Sequence, residues 1–162
     1  MTVKEFPTIG FIGLGVMGGP MCRNMALKHS GEVIAYDAFE SAFAAIENTQ
    51  AKRAGSIREV AEQADIVFLS LPGGPQVEHV CLSDEGIASA ESKPSVVVDL
   101  STTTVASARE NAEHLLAHDI LFVDAPVART REAAQRGELS IMVGAERGLF
   151  ERIEPLLFYI GS

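Results

Sequence analysis

Two patterns alternate along the chain. Short runs of consecutive apolar residues lie at Ile9 to Ile12, Glu32 to Asp37, Asp65 to Ser70, Ser95 to Leu100, Ile120 to Asp124 and Leu139 to Val143. Polar positions sit at their ends rather than alternating within them, as in parallel strands covered on both faces. Between the runs, apolar residues recur three or four positions apart, the helical spacing. Helices are therefore predicted after Gly18 (through Met21 and Met25), at Ser41 to Gln50 (with Phe43 and Ile46 on one face), at Ile57 to Ala64 and from about Gln76. Others are predicted after Thr104 to about His118, briefly around Ala133 to Gln135, and from Glu146 to Tyr159, interrupted at most by Pro155. Ser56 with Glu59 three residues on is a capping-box signature, and Ser101-Thr102-Thr103-Thr104 offers side chains to cap the helix it precedes. Ala54-Gly55 reads as a short extended piece. Strand and helix alternate throughout with no repeat and no low-complexity linker, which predicts a doubly wound α/β domain with a mostly parallel sheet and right-handed crossovers. Ligands in such sheets bind beyond the carboxyl ends of the strands. The loops at those ends are Gly13 to Gly18, Asp37, Leu71 to Pro75, Ser101 to Thr104 and Asp124 to Arg131, and all five are expected along one crevice.

The chain has 162 residues, enough for one domain with a real core, and 47% of them are hydrophobic. Its formal net charge of −9 argues against nucleic acid or an anionic membrane as a partner. No apolar run approaches membrane-spanning length. Met1-Thr2-Val3-Lys4-Glu5 carries an acid and leads into a strand, unlike a secretory leader, so a cytoplasmic location is expected. Cys22 and Cys81 are the only cysteines, and two buried free thiols are expected rather than a disulfide. His114 and His118 have a helical i,i+4 spacing but no acidic or cysteine partners, so they read as a solvated face and no metal site is expected. The last helix carries Leu149, Phe150, Ile153, Leu156, Leu157 and Phe158, more than one face needs, so apolar surface left for a partner is expected.

The most informative stretch is Gly13-Leu14-Gly15-Val16-Met17-Gly18, spaced G-x-G-x-x-G between a predicted strand and a predicted helix. Here Gly13 permits a sharp turn, Gly15 lets a pyrophosphate approach the backbone, and Gly18 lets the helix lie close to the strand. The helix N-terminus offers unpaired N–H groups and a partial positive charge to phosphates. Leu14, Val16 and Met17 lie within the same cradle. Asp37 ends the second strand at about the 20-residue interval expected of a ribose-binding acid. Its carboxylate would accept from ribose hydroxyls and repel a 2′-phosphate, so NAD is expected in preference to NADP. The doubly wound sheet is thus of the Rossmann type.

Four of the loops together resemble the β-hydroxyacid dehydrogenase family, which includes 3-hydroxyisobutyrate dehydrogenases and is related to 6-phosphogluconate dehydrogenases. Gly13 to Met25 resembles the family's cofactor signature almost position by position. Ser70-Leu71-Pro72 resembles its second cofactor loop, and Asp99-Leu100-Ser101-Thr102 the segment beside the nicotinamide. Asp124-Ala125-Pro126-Val127 resembles the start of the substrate loop, with Gly137 to Gly144 its continuation. The resemblance implies cofactor contacts at Leu71, Pro72 and Thr102, and substrate contacts at Ser101, Val127, Ala128, Arg129 and Thr130. It implies hydride transfer between nicotinamide and a small 3-hydroxy acid or aldehyde, in an enzyme expected to be a homo-oligomer. Two departures stand out. The family follows this valine with Ser-Gly-Gly, where this chain has Ala128-Arg129-Thr130. The family's catalytic lysine lies in a helix after this domain, followed by an all-helical domain; both are expected beyond Ser162, and residues 1–162 are read as the dinucleotide-binding domain with no catalytic residue of its own. Neither Lys52 nor Lys93 sits in a loop where it could substitute. A branch of the family acting on sulfonated three-carbon aldehydes resembles this loop, with an arginine followed by threonine, so a strongly anionic, sulfonate-like small molecule is the expected substrate and a hydroxyisobutyrate-type acid the runner-up. Two other classes stay open: a nucleotide-binding module without catalysis, and a Rossmann-type methyltransferase, which the Gly13 to Met25 pattern fits less well.

Overall fold

The structure is a computed structural model that describes residues 4–162. Six parallel strands form one sheet in the order β3-β2-β1-β4-β5-β6. They are β1 (Ile9–Ile12), β2 (Val33–Tyr36), β3 (Lys52–Arg53), β4 (Ile66–Leu69), β5 (Val96–Asp99) and β6 (Leu121–Asp124). The helices between them are α1 (Gly18–Lys28), α2 (Ile57–Gln63), α3 (Gly74–Leu82) and α4 (Val105–Leu116). A two-stranded antiparallel ribbon, β7 (Val127–Ala128) with β8 (Ser140–Ile141), flanks α5 (Arg131–Arg136), and α6 (Arg147–Leu157) closes the chain. This is the predicted Rossmann-type α/β fold, with the strand order reversing direction between β1 and β4.

Every residue of β1, β4 and β5 is buried, which explains their unbroken apolar runs. Successive side chains point to opposite faces. Phe11 and Phe68 stack on one face, with ring centres 6.3 Å apart, and meet Met21 and Met25 of α1 and Ile153 of α6. Val67 and Val97 point to the other face, among Val60 of α2, Val77 of α3 and Leu115 of α4. The Ser56 cap forms as expected: its Oγ accepts from Glu59 N at 3.0 Å. Glu59 reaches back one residue further than a capping box requires, accepting from Gly55 N at 2.6 Å. Thr104, the last of the four candidate residues, caps α4 by accepting from Ser107 N.

Three expectations are corrected. The segment predicted as a helix over Ser41 to Gln50 is a 3-10 helix, Glu40–Ile46. Phe43 and Ile46 are three apart, which suits three residues per turn, and both are buried. Arg23 holds the segment's end, donating to Ala45 O and Glu47 O. The extended piece is Lys52–Arg53 rather than Ala54-Gly55. It is an edge strand whose charges pair with Glu32 and Glu40, a protection typical of sheet edges. Of Leu139 to Val143, Ser140–Ile141 joins the antiparallel ribbon and Leu139 bridges Gly161, so the run does not enter the six-stranded parallel sheet. The last helix runs through Pro155, and half of its apolar set is used within the chain: Ile153, Leu156 and Leu157 are buried, whereas Leu149 and Phe150 are half-buried and Phe158 is exposed. Cys22 and Cys81 are free and buried, as expected.

Because Ile153 is fully buried against the sheet, Ile153→Ala should cost about 2–5 kcal/mol in urea unfolding. A change below about 0.5 kcal/mol, the surface range, would show that α6 is not part of this core.

Candidate functional site

A cleft of about 820 Å³ opens at the carboxyl ends of β1, β2 and β4, under the start of α3. Its walls are the turn Gly13 to Gly18, the segment Tyr36 to Phe39, the loop Ser70 to Pro72, and Gln76, His79 and Val80 of α3. Gly13 has φ +102°, and a Cβ there would lie 2.0 Å from Ser70 O. A Cβ on Gly18 would lie 2.0 Å from Gly13 O. The two glycines therefore let the turn sit directly against β4. Gly15 is different, because a Cβ there would meet nothing within 4 Å. Close packing inside the protein does not require this glycine, and the space beside it belongs to the cleft. No side chain caps α1; Gly19 N–H donates to Gly15 O and Pro20 has none, so the N–H groups left for the cleft are those of the turn itself, Gly15 to Gly18, for which no backbone acceptor is present among the described residues.

Asp37 sits across the turn. Its Oδ2 accepts from Leu14 N at 2.7 Å, and its Oδ1 accepts from Phe39 N at 2.8 Å. The acid thus anchors the glycine turn as well as lining the cleft. Phe39 lines the same wall with 74% of its surface exposed. A lone aromatic after a strand-end acid carries no sequence signal, and this residue was not anticipated.

The loops expected to share one crevice divide into two groups. Gly13 to Gly18, Asp37 and Leu71–Pro72 line the cleft together. Ser101–Thr104 and Asp124–Arg131 lie along the same sheet edge, at the ends of β5 and β6, but outside the cleft walls. Ser101 joins the groups: its Oγ accepts from Leu71 N at 2.9 Å. Ser101 is buried, and in this contact its hydroxyl oxygen accepts, which leaves the hydroxyl proton to donate. Thr102 is exposed beside it. Further along, Val127 is half-buried, while Ala128, Arg129 and Thr130 are exposed. Thr130 caps α5, accepting from Ala133 N at 3.3 Å. Arg129 has φ +98° and donates from Nε to Ser140 Oγ at 3.0 Å.

A pair of acids lies beneath the second group. Asp99 and Asp124 are register partners on β5 and β6 and so project to the same side of the sheet. Asp99 is fully buried; its Oδ1 accepts from Ser101 N at 2.9 Å. Among the described residues, Asp99 Oδ2 and Asp124 Oδ1 have no partner. Burial pushes the Asp99 carboxyl up to about 6, against the pull of the Ser101 hydrogen bonds and with a further push from Asp124. Burial also raises Asp124. The sequence places Asp99 and Asp124 in two separate loop segments and not as a pair, because their juxtaposition depends on the register of β5 on β6.

A second cavity, of about 560 Å³, lies near the amino ends of β4 and β5. Among its lining residues Lys4 pairs with Asp65, and Arg152 donates to Ser95 Oγ. Among the described residues, no helix is long and apolar enough to cross a membrane.

Residues 8–162 match the family model for the NAD binding domain of 6-phosphogluconate dehydrogenase. The chain is 40% identical over 154 residues to the 2-(hydroxymethyl)glutarate dehydrogenase of Eubacterium barkeri, covering 95% of this chain and 51% of that protein. It is 35% identical over 154 residues to the mitochondrial 3-hydroxyisobutyrate dehydrogenase of Mus musculus, covering 95% and 46%. A structure of the Mycobacterium tuberculosis 3-hydroxyisobutyrate dehydrogenase with L-serine superposes with a TM-score of 0.87 at 31% identity, covering 97% of this chain and 53% of that one. The chain thus spans about half the length of the relatives it matches.

The buried acid carries a prediction. A carboxyl whose pKa is higher folded than unfolded binds its proton more tightly when folded. Its destabilising effect is therefore absent below about pH 4 and grows as pH rises through about 6. Asp99→Asn should flatten the fall in stability between those limits, by up to about 3 kcal/mol. Urea unfolding at stepped pH measures this, and a pH profile identical to wild type would contradict it.

Proposed function

The chain belongs to the family of the NAD binding domain of 6-phosphogluconate dehydrogenase, and from that premise we propose that it is the cofactor domain of an NAD-dependent oxidoreductase acting on a small 3-hydroxy acid or its aldehyde. The observation that carries this reading is the glycine turn. Gly13 and Gly18 are required by close backbone contact, whereas Gly15 opens onto empty space at the N-terminus of α1. An NAD pyrophosphate fits that opening. The backbone N–H groups of Gly15, Val16, Met17 and Gly18 would hold it, while Gly13 and Leu14, whose N–H groups are taken by Tyr36 O and Asp37 Oδ2, shape the turn beneath it, with Asp37 at the adenosine ribose, Leu71 and Pro72 along the dinucleotide, and Thr102 toward the nicotinamide. When bound, the cofactor supplies the hydride chemistry, and the protein's task is to hold and orient it.

Asp37 favours NAD over NADP. A hydrogen bond to a charged group is worth about 1.5–3 kcal/mol, roughly tenfold or more in affinity, before repulsion of a 2′-phosphate is counted. The proton transfer at the substrate oxygen is assigned to a lysine in a helical domain following residue 162. Of the four lysines of this chain, Lys52 is held by Glu32 at the far sheet edge, Lys28 donates to Tyr159 O behind α1, and Lys4 and Lys93 lie near the amino ends of the strands.

For the substrate, the loop 127–130 supports a compound bearing a strong anion. Arg129 stands at φ +98°, where a glycine would be unstrained. Such strain costs on the order of 1–3 kcal/mol and persists where the surroundings enforce it. With Nε on Ser140, its two terminal nitrogens have no partner among the described residues. A guanidinium presented this way can hold a sulfonate, phosphate or carboxylate with paired hydrogen bonds. Thr130 and Thr102 are lesser donors, and Val127 and Ala128 shape the adjacent wall. Ser101, whose Oγ holds the Leu71 loop, offers its hydroxyl proton to the substrate.

Calorimetric titration tests the cofactor assignment. NAD should bind at least about tenfold more tightly than NADP, and Gly15→Val should abolish binding while unfolding stays cooperative. Equal or tighter NADP binding would overturn the preference, and binding by the valine variant would overturn the cradle. Steady-state kinetics of the protein together with its C-terminal half test the substrate loop. Arg129→Gly, which keeps the backbone conformation, should raise the Michaelis constant at least about tenfold for a sulfonated or phosphorylated aldehyde and little for an uncharged one. An unchanged ratio between the two would make Arg129 a surface charge.

A further inference from the structure

The helix that begins at the glycine turn makes a second set of contacts on its side. Asn24 is buried, and the two hydrogens of its Nδ2 are shared among three carbonyls. One is Pro20 O within α1, at 3.1 Å. The others belong to α5: Ala134 O at 3.0 Å and Gln135 O at 3.2 Å. Both lie in the last turn of α5, where intrahelical donors run out. One turn further along α1, Lys28 Nζ donates to Tyr159 O at 2.8 Å, just after α6. Residues four apart share a helix face, so one polar face of α1 grips the ends of two other helices. Gly137 lets the grip close. It has φ +69°, and a Cβ there would lie 2.7 Å from Lys28 Nζ and 3.4 Å from Asn24 Oδ1.

The other end of α5 is Thr130, its cap, directly preceded by Arg129. A six-residue helix is about 9 Å long, so an amide fixed at one end constrains where the other end points. We propose that Asn24 is a positioning residue that locks α5 to the cofactor helix and so holds the Arg129–Thr130 corner in register with the glycine turn. The inference rests on the reading of Gly13–Gly18 as the dinucleotide cradle and of 127–130 as the substrate loop. It adds a mechanical link between them that passes through neither site. A cofactor that quiets α1 then quiets α5 through the Asn24 amide, a coupling through mobility rather than through a change of shape.

Hydrogen exchange with NAD as the probe tests this, with NAD affinity measured in parallel by calorimetry. The variant is Asn24→Ser. A serine hydroxyl reaches the carbonyl four residues back in its own helix but is too short to bridge to α5. In the wild-type protein, NAD should slow exchange of the amides of residues 131–137 at least about threefold. In Asn24→Ser, NAD affinity should stay within about twofold while that protection is lost. Protection that persists in the variant overturns the proposal, as does its absence in wild type. Affinity and protection lost together also overturn it, because Asn24 would then support the cradle itself. Should Asn24→Ser not fold, Asn24→Ala removes the amide that bridges to α5 while keeping a good helix former in α1, and the same loss of protection is expected; intact protection there overturns the proposal. Failure of wild type to bind NAD at all removes the functional reading, and this inference with it, and calorimetry reads that outcome independently of α5.

Discussion

The structure depends on a backbone contact without side chains. Where β1 turns into α1, Gly13 packs against Ser70 O and Gly18 against Gly13 O, at distances that leave no room for a Cβ on either glycine. This contact sets the N-terminus of α1 directly over the end of β1 and brings the end of β4 alongside. Asp37 then completes the arrangement by taking Leu14 N–H from the neighbouring strand end. The same contact thus positions the helix terminus, the acid and the second loop around one opening, and Gly15 is left facing it. Any side chain at Gly13 would have to displace the Ser70 carbonyl, so the turn's composition follows from packing before a ligand is considered.

From this turn the arrangement extends in both directions along the sheet edge. Ser101 ties Leu71 to the end of β5, and the Asp99 carboxyl beneath it holds Ser101 N–H. Keeping a carboxyl fully buried at neutral pH works against stability, as its elevated pKa indicates. Its place under the loop nearest the expected nicotinamide position gives that burden a structural context. In the other direction, α1 carries the geometry of the turn to α5 through Asn24. The two groups of loops, one lining the cleft and one beyond it, are therefore joined by hydrogen bonds above and by a helix below.

The central strands were legible in the sequence because burial on both faces leaves an unbroken apolar run, as in Val96–Val98. The glycine turn and Asp37 were legible because their roles depend on spacing along the chain. What escaped depends on contacts that spacing does not encode. The 3-10 segment at Glu40–Ile46 looks helical because three-residue and 3.6-residue periods coincide over a single turn. Two-residue strands such as Lys52–Arg53 carry no periodicity at all. The Asp99–Asp124 pair follows from the register of β5 on β6, and the inward turn of Ser101 from its meeting with Leu71. Of the apolar residues of α6, Ile153, Leu156 and Leu157 are buried because α6 returns to cover the Phe11–Phe68 face, a long-range packing that the helix's own pattern does not reveal. Arg129 was marked by what it replaces, but its left-handed backbone emerged only from the fold.

The account stands on the claim that the cleft around Gly15 receives a dinucleotide pyrophosphate. An NMR titration of the isotope-labelled protein with NAD tests it residue by residue. The amides of residues 13–18, together with those of Asp37, Phe39 and Leu71, should shift and saturate with a single dissociation constant. Shifts confined to the other cavity, around Lys4, Asp65 and Arg152, or the absence of saturable shifts at the glycine turn, would contradict it.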